Sequence, residues 1–361
     1  MLRSVAIAAA CLGLCGCADL GYYAQAIEGQ SEMLAARRPI RELVADPATD
    51  ATLRRQLEQA DAIREFASRE LALPDNGSYR AYARLGRPYV VWNVFAAPAL
   101  SLEPKQWCLL VVGCVGYRGY FAERDADRLA ANLQAQGSDT HVAGIAAYST
   151  LGFFDDPVLD TFLRLGEQRV AQIMFHELAH QLVYAPGDTS FNESFAVAVE
   201  EEGMRRWLAR TGTPEQQRQF EAQRVRQAEV DRLLADCRER LRAIYASSLA
   251  PEEKLRAKAA TLEGLRRDYA ALRSGWQGGS GYDRLFAQPL NNALLASLSL
   301  YTRWLPSFRR LLAQEDGELP RFYRRVAALA SLPAAERAKV LAELAAPTEP
   351  ERASPVAAQA H

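Results

Sequence analysis

The sequence has no excess of charge of either sign and very few histidines. Its 43 Lys and Arg residues are balanced by 44 Asp and Glu residues, which gives a formal net charge of −1. Proteins that bind nucleic acid or anionic membrane surfaces usually carry a basic excess, so this balance gives no sign of either partner. Only four histidines occur: His141, His176, His180 and His361. Against that scarcity, the pair at 176 and 180 stands out.

The sequence also lacks the ~20-residue apolar run that a membrane-spanning helix needs. Its longest apolar run, Val5 to Leu14, follows the basic residue Arg3 and has the size of a signal-peptide core. The sequence Leu14-Cys15-Gly16-Cys17 resembles the lipobox of bacterial lipoproteins. We therefore predict a lipoprotein signal peptide over residues 1–16 and lipidation of Cys17. The mature protein would then be lipid-anchored to the bacterial cell envelope and face the periplasm, with a simple secretory signal as the alternative.

This location bears on the remaining cysteines, because disulfides form in oxidising compartments. Cys108 and Cys114 are two candidates for a bond. A continuous strand between them would hold them roughly 20 Å apart, at ~3.3 Å per residue, which is too far for a disulfide. The bond therefore requires the chain to turn back, for example at Gly113, and both outcomes stay open. Cys237 lies in a helical pattern and is predicted to be a buried thiol.

Hydrophobic periodicity predicts a helix-rich α+β fold with one small sheet. The predicted helices cover residues 20–37, 50–72, 123–136, 167–184 and 191–209. The predicted strands cover residues 89–95, 107–112 and 140–148. Residues 17–345 are expected to form one domain, with a charged helical hairpin inserted at 213–275 and short helices after it. The Ala-, Pro- and Glu-rich tail, 346–361, is predicted to be disordered.

The predicted helix 167–184 contains the motif His176-Glu177-Leu178-Ala179-His180. Two histidines four residues apart lie on one helical face and can bind one metal ion through their imidazoles. Glu177 is then placed to accept a proton from metal-bound water. The same pattern also occurs by chance in unrelated helices, where the histidines have only structural roles. A third ligand is therefore needed to decide between the two interpretations.

Glu193, on the next predicted helix, is the best candidate for that third ligand. The longer HExxHxxGxxH pattern is excluded because Val183 and Pro186 occupy its glycine and third-histidine positions. Helices joined by a short turn pack antiparallel, which can bring Glu193 to the two imidazoles. The predicted site is therefore two histidines, one glutamate and an open position for water. Ser190 to Glu193 also fits a capping box, in which Glu193 would serve only the helix start.

The first motif, followed by Asn192-Glu193-Ser194-Phe195-Ala196, resembles the gluzincin metallopeptidases, especially zinc aminopeptidases with a second motif NE-x-F-A. The whole chain, lipobox included, looks like the bacterial family known as "putative zinc aminopeptidase". The resemblance implies a zincin-like core with a small sheet and C-terminal helices. It also implies a Zn²⁺ ion and these roles: His176, His180 and Glu193 as ligands, Glu177 as general base, and Glu200 as support for a ligand histidine. A solvated Glu200 is the alternative, and the GxMEN segment of those aminopeptidases is absent.

We therefore predict a zinc-dependent peptidase, with aminopeptidase as the expected type and a peptide as the substrate. In zincin-like folds the strand before the metal helix pairs with the substrate, which here is residues 142–148. The candidate substrate-binding residues are Ala147, Tyr148, Asp155 and Tyr282. The oxyanion donor is left open among Tyr148, Tyr282 and His141. A catalytically silent envelope scaffold and a cell-wall peptide hydrolase stay as alternatives, although a scaffold has no chemical need for Glu177.

Overall fold

The computed structural model of the protein describes residues 20–109, 113–276, 278 and 281–346. The predicted signal peptide, Cys17 and nearly all of the predicted tail lie outside these residues. The described chain is a helix-rich α+β fold with small sheets, which confirms the fold class expected from the sequence. In this part of the chain no helix is both long enough and apolar enough to cross a membrane.

The N-terminal part of the described chain alternates helices with short strands. Its helices are α1 (20–35), α2 (Ile40–Ala45), α3 (Ala51–Leu71), α4 (Glu123–Ala135) and α5 (Asp160–Leu163). Its strands are β1 (Arg38–Pro39), β2 (Ala81–Ala83), β3 (Val91–Pro98), β4 (Trp107–Leu109), β5 (Gly113–Val115), β6 (Arg118–Tyr120), β7 (Ser138–Ile145) and β8 (Val158–Leu159).

From residue 167 onward, the described chain contains helices joined by loops and no strand. These helices are α6 (Glu167–Leu182), α7 (Thr189–Thr211), α8 (Pro214–Ala246), α9 (Pro251–Ser274), α10 (Asp283–Ala287), α11 (Asn292–Thr302), α12 (Leu305–Gln314), α13 (Leu319–Ala330) and α14 (Ala334–Ala345). The largest apolar core lies between α3, α6, α7, α12 and α13, and a second core joins α8, α9, α10 and α11. The long helices α6 and α7 therefore run through the main core.

The described strands form three small sheets rather than one. Their orders are β1-β2-β8, β6-β3-β7 and the hairpin β4-β5. In the middle sheet both neighbours of β3 are antiparallel to it. One face of this sheet packs against α4, and the other packs against α11 at Phe95. The second face is also the one that reaches the candidate site.

The hairpin β4-β5 corrects the predicted strand 107–112. The strand ends at Leu109, and the chain has reversed by Gly113, so that Cys108 pairs directly with Cys114. The two cysteines form a disulfide bond with their Cα atoms 3.8 Å apart. The positive φ of Gly113, +78°, suits glycine in such a reversal. Cys237 is a buried free thiol, as predicted.

Candidate metal centre

Helices α6 and α7 bring the three predicted metal ligands together. The Nε2 atoms of His176 and His180 lie 3.2 Å apart. The Oε2 atom of Glu193 lies 3.3 Å from the first of these nitrogens and 3.7 Å from the second. Among the described residues, these three form a group of donor atoms able to hold one metal ion.

The spacing of the three donor atoms fits a single tetrahedral ion. With metal–ligand distances of about 2.0–2.1 Å, the ligand atoms of a regular tetrahedron are roughly 3.3–3.4 Å apart. The three observed separations, from 3.2 to 3.7 Å, lie close to this value. Two imidazole nitrogens and a carboxylate oxygen are also a common donor set for a catalytic zinc ion. The residues present therefore fit a metal ion in both geometry and chemistry.

The start of α7 fixes the position of Glu193. The carboxylate of Asp188 accepts a hydrogen bond from the backbone N–H of Phe191 at 3.0 Å and so caps the helix. The side chain of Asn192 bonds both the N–H and the C=O of Ala185, at 2.7 and 2.9 Å. The capping-box alternative is therefore wrong, because Asp188 is the cap. Glu193 lies inside the helix, where its carboxylate is free to meet the histidines.

A glycine allows α6 and α7 to pack closely near the site. A Cβ atom on Gly203 would lie 2.7 Å from the ring of Phe175 and 2.9 Å from a methyl carbon of Leu71. Such distances are far below normal contact, so only glycine fits there without rearrangement. Because Phe175 directly precedes His176, this contact also sets the depth of the metal-binding helix.

Glu200 lies on the other side of the His176 ring from Glu193. Its Oε2 atom is 3.2 Å from Nδ1 of His176. The neighbouring acids have different partners: Glu201 forms two hydrogen bonds with Arg309, and Glu202 pairs with Arg205 and Arg206. Nδ1 of His180, in contrast, is buried and has no hydrogen-bond partner among the described residues. At Nδ1, His176 is therefore held by a carboxylate, whereas His180 is held there only by packing.

Burial and the neighbouring charges set the protonation of the centre. Burial acts to raise the pKa of Glu193, but the positive charges of His180 and His176 outweigh it and lower this pKa to about 2. Burial likewise acts to lower the pKa of His176, yet hydrogen bonds to Glu193 and Glu200 raise it to about 10. Burial raises the pKa of Glu177, against the opposing effect of the two histidines. The metal-free centre thus pairs an ionised carboxylate with a strongly basic imidazole.

A cavity of about 420 Å³ opens onto the three donor atoms. Its walls come from α1, the sheet β6-β3-β7, the hairpin β4-β5, residues 147–154 and α11. Glu177 lines this cavity together with the ligand residues. A more open groove of about 920 Å³ beside α8 is larger, but none of the three donor residues lines it. The smaller cavity is therefore the one lined by the candidate metal ligands and Glu177.

Two tyrosines that the sequence analysis did not select also line the cavity. The ring of Tyr301 on α11 is 6.3 Å from the ring of His176. The charge of Glu193 and burial raise the pKa of Tyr301 well above its usual value, and burial and the same charge do so for Tyr117. Both hydroxyls therefore keep their protons at neutral pH. Sequence alone offered no signal for them, because α11 and the segment between β5 and β6 reach the site only through tertiary packing.

The predicted substrate-binding residues divide into two groups. Ala147 and Tyr148 line the cavity, although β7 ends at Ile145 and neither residue belongs to the strand. The Tyr148 hydroxyl donates a hydrogen bond to the side chain of Gln30 on α1. Asp155 is exposed, lies outside the described lining of the cavity, and accepts a hydrogen bond from Arg37 through its backbone carbonyl at 2.9 Å.

The structure does not bring Tyr282 or His141 into the cavity lining. Tyr282 packs against Trp276, with ring centroids 6.4 Å apart, and donates a hydrogen bond to Gln227 on α8. Its position beside a glycine-rich segment in the sequence did not indicate how far it lies from the candidate metal ligands. The ring of His141 stacks on Phe95, its cross-strand neighbour, with centroids 6.1 Å apart. Neither side chain therefore lies beside the three candidate metal ligands.

Comparison with known proteins identifies a family for the chain. The family described as "Putative aminopeptidase" matches residues 21–341, which is nearly the whole sequence. No curated protein and no solved structure matches the chain.

Proposed function

The chain belongs to the "Putative aminopeptidase" family, and from this premise we propose that it is a zinc-dependent aminopeptidase. The observation that carries this proposal is the convergence of His176, His180 and Glu193 on one face of a cavity that Glu177 also lines. A donor set of two histidines and one carboxylate leaves one position of a tetrahedral ion free, as catalytic zinc sites require.

Zn²⁺ bound by these residues would lower the pKa of a water molecule toward about 7 and polarise the carbonyl of the scissile bond. Glu177 is the residue that handles the proton. Its carboxylate accepts the proton of the attacking water and later donates it to the leaving amine. Burial raises its pKa toward neutrality, which is the direction that suits a general base and acid.

The protonated hydroxyls of Tyr301 and Tyr117 serve as hydrogen-bond donors. Both line the cavity, and the charge of Glu193 contributes to the raised pKa of each. A donor aimed at the carbonyl oxygen stabilises the negative charge that develops as water attacks. We assign this role to Tyr301 first, because its ring lies beside His176.

The cavity suits a peptide with apolar side chains near the scissile bond. Glu177 and Glu193 are the acidic residues in its described lining, and no Lys or Arg is among the described lining residues. The exposed rings of Phe153 and Phe154 stand at its rim, with 69% and 49% of their surface accessible. We therefore propose peptides with an apolar N-terminal residue as preferred substrates. The lipid anchor at Cys17 would present this cavity outside the cytoplasm.

Metal content is the decisive first test. The measurement uses a soluble form beginning at Ala18, with Glu193→Ala, His180→Ala and Glu201→Ala variants. We expect about one zinc per chain in the starting protein, loss in the first two variants, and retention in Glu201→Ala, whose side chain pairs with Arg309. Zinc retained without Glu193 would contradict the ligand set, and absence of zinc from every form after reconstitution would contradict the proposal.

Activity is then measured on aminoacyl reporters, internally quenched peptides and peptidoglycan fragments. We expect cleavage of reporters with a free N-terminal apolar residue, and loss of that cleavage in Glu177→Gln with zinc retained. Cleavage of only the quenched peptides would indicate an endopeptidase rather than an aminopeptidase, and cleavage of only the wall fragments would indicate a cell-wall hydrolase. A zinc-loaded protein inactive on all three would instead be a binding protein.

A further inference from the structure

Asn93 is a polar residue in an otherwise apolar buried strand. The sequence of β3 is Val91-Trp92-Asn93-Val94-Phe95-Ala96-Ala97-Pro98. Asn93 is only 7% exposed, and it lies on the face of the strand that lines the metal-centre cavity. Asparagine is depleted in strands because its side chain competes for backbone hydrogen bonds and gains little from packing. Its presence at this position therefore calls for a compensating interaction.

That interaction is absent from the described chain. The side chain of Asn93 forms no hydrogen bond with any described residue. The other two asparagines buried to this degree are fully bonded: Asn192 bonds Ala185 through both amide atoms, and Asn292 bonds Tyr245 and two backbone carbonyls. Neither amide atom of Asn93 is among the fully enclosed, unpartnered side-chain atoms of the described residues, so the amide reaches the cavity and its hydrogen-bonding groups are available to a bound molecule.

Small neighbours leave the amide of Asn93 open toward the cavity. Its cross-strand partners are Gly119 on β6 and Ala143 on β7. A Cβ atom on Gly119 would lie 3.0 Å from Oδ1 of Asn93, so any larger residue there would crowd the amide. Gly119 itself lines the cavity. The sheet thus forms a niche with a carboxamide at its floor and open space above it.

We propose that the Asn93 side chain binds a main-chain amide group of the peptide substrate. A carboxamide offers one acceptor and two donors in a plane, which matches the C=O and N–H of a peptide unit. Such recognition is independent of the substrate's side chain, as a peptidase with varied substrates requires. This inference rests on the proposed function, and it assigns Asn93 a binding role distinct from the metal centre.

The test combines stability and binding measurements on the full metal-loaded protein. The variants are Asn93→Leu, which keeps the branched shape, and Asn93→Ala, which relieves any crowding at Gly119. Asn292→Leu is the matched control, because that buried asparagine is bonded to the protein and lies outside the described lining of the cavity. The probe is a dipeptide hydroxamate, tested together with analogues in which each amide nitrogen is methylated in turn.

A substrate-binding asparagine and a structural one give opposite results. We expect the melting temperature of both Asn93 variants to stay unchanged or rise by up to about 3 °C, while Asn292→Leu falls by roughly 3 °C or more. We expect hydroxamate affinity to fall roughly 5- to 100-fold in the Asn93 variants and to stay normal in the control. Methylation of one particular nitrogen should weaken binding to the wild type but not to Asn93→Leu.

Two kinds of failure are distinguishable. Normal hydroxamate affinity in both Asn93 variants, or destabilisation as large as that of Asn292→Leu, would overturn the role of Asn93 and leave the proposed function intact. A wild-type protein that neither binds any hydroxamate nor cleaves any peptide would overturn the proposed function, and the Asn93 inference with it.

Discussion

Glu200 lies 3.2 Å from Nδ1 of His176, while Glu193 lies 3.3 Å from Nε2 of the same ring. One imidazole is thus held between two carboxylates from a single helix, seven residues apart. A carboxylate that accepts a hydrogen bond from Nδ1–H leaves the lone pair of Nε2 directed at the metal position. Glu200 is therefore placed to fix both the tautomer and the orientation of the His176 ring.

Replacement of Glu200 by Ala should weaken metal binding by roughly 10- to 100-fold, because the imidazole loses its orienting partner. The measurement is zinc affinity by competition with a chelator of known affinity. Glu201→Ala is the control, since the adjacent acid pairs with Arg309 and does not contact either histidine. Equal affinities in Glu200→Ala and Glu201→Ala would show that Glu200 does not support the site.

Replacement of Tyr301 by Phe should lower kcat by about 100-fold or more while zinc content and KM change little. The hydroxyl is assigned to the developing oxyanion, and removal of one such donor commonly costs this much. Tyr117→Phe, tested in parallel, identifies which of the two hydroxyls carries the role. If neither variant changes kcat, the donor must be a group other than these tyrosines.

The close packing at Gly203 predicts that Gly203→Ala destabilises the protein by about 1–3 kcal/mol and also weakens zinc binding. The added methyl would collide with Phe175, which precedes the ligand His176. Gly264→Ala on α9 is the matched control, because a Cβ there meets nothing closer than 3.8 Å. That control should gain up to about 1 kcal/mol from helix propensity. Chemical denaturation measures both, and a stabilised Gly203→Ala would disprove the packing argument.

The buried carboxyl of Asp156 should make stability depend on pH. Burial raises its pKa from 3.8 to about 6, although hydrogen bonds from Thr150 partly oppose the shift. Because the folded-state pKa lies above the unfolded one, the folded protein binds this proton more tightly. The contribution of Asp156 is therefore full below about pH 4 and is lost as the pH rises through about 6.

Asp156→Asn removes this titration and keeps an oxygen for Thr150. Between pH 4 and pH 7, the wild type should lose as much as about 3 kcal/mol of stability relative to the variant. Denaturant unfolding across this pH range measures the difference, and the other titrating groups cancel in the comparison. A constant difference between the two proteins would show that Asp156 titrates at its ordinary pKa.

The grouping of His176, His180 and Glu193 could be predicted from the sequence because helical periodicity fixes relative positions within one helix. His176 and His180 are one turn apart, and Glu193 and Glu200 are two turns apart, so each pair must share a face. The short turn between α6 and α7 then leaves few ways to arrange the two helices. The capping-box alternative could not be dismissed from sequence, because Asp188 and Ser190 are both acceptable caps.

Several residues that line the cavity could not be predicted, because their positions depend on contacts between distant segments. Tyr117, Tyr301 and Asn93 come from three segments that meet only in the folded chain, so no local pattern marks them. The strands β1, β2 and β8 are two or three residues long, too short to show a period. The disulfide was undecidable because the reversal before Gly113 lies in an apolar stretch that also fits a continuous strand.

The helix that carries Glu193 gains a contact, between Arg337 on α14 and Asp188, only after the C-terminal end of the chain has been synthesised. Nε of Arg337 donates a hydrogen bond to the carboxylate that caps α7, at 2.9 Å, across 149 residues of sequence. A growing chain acquires all its ligands once Glu193 has emerged, yet the helix that carries Glu193 lacks this support until α14 has followed. An incomplete chain therefore holds the helix that carries Glu193 less firmly than a finished one does.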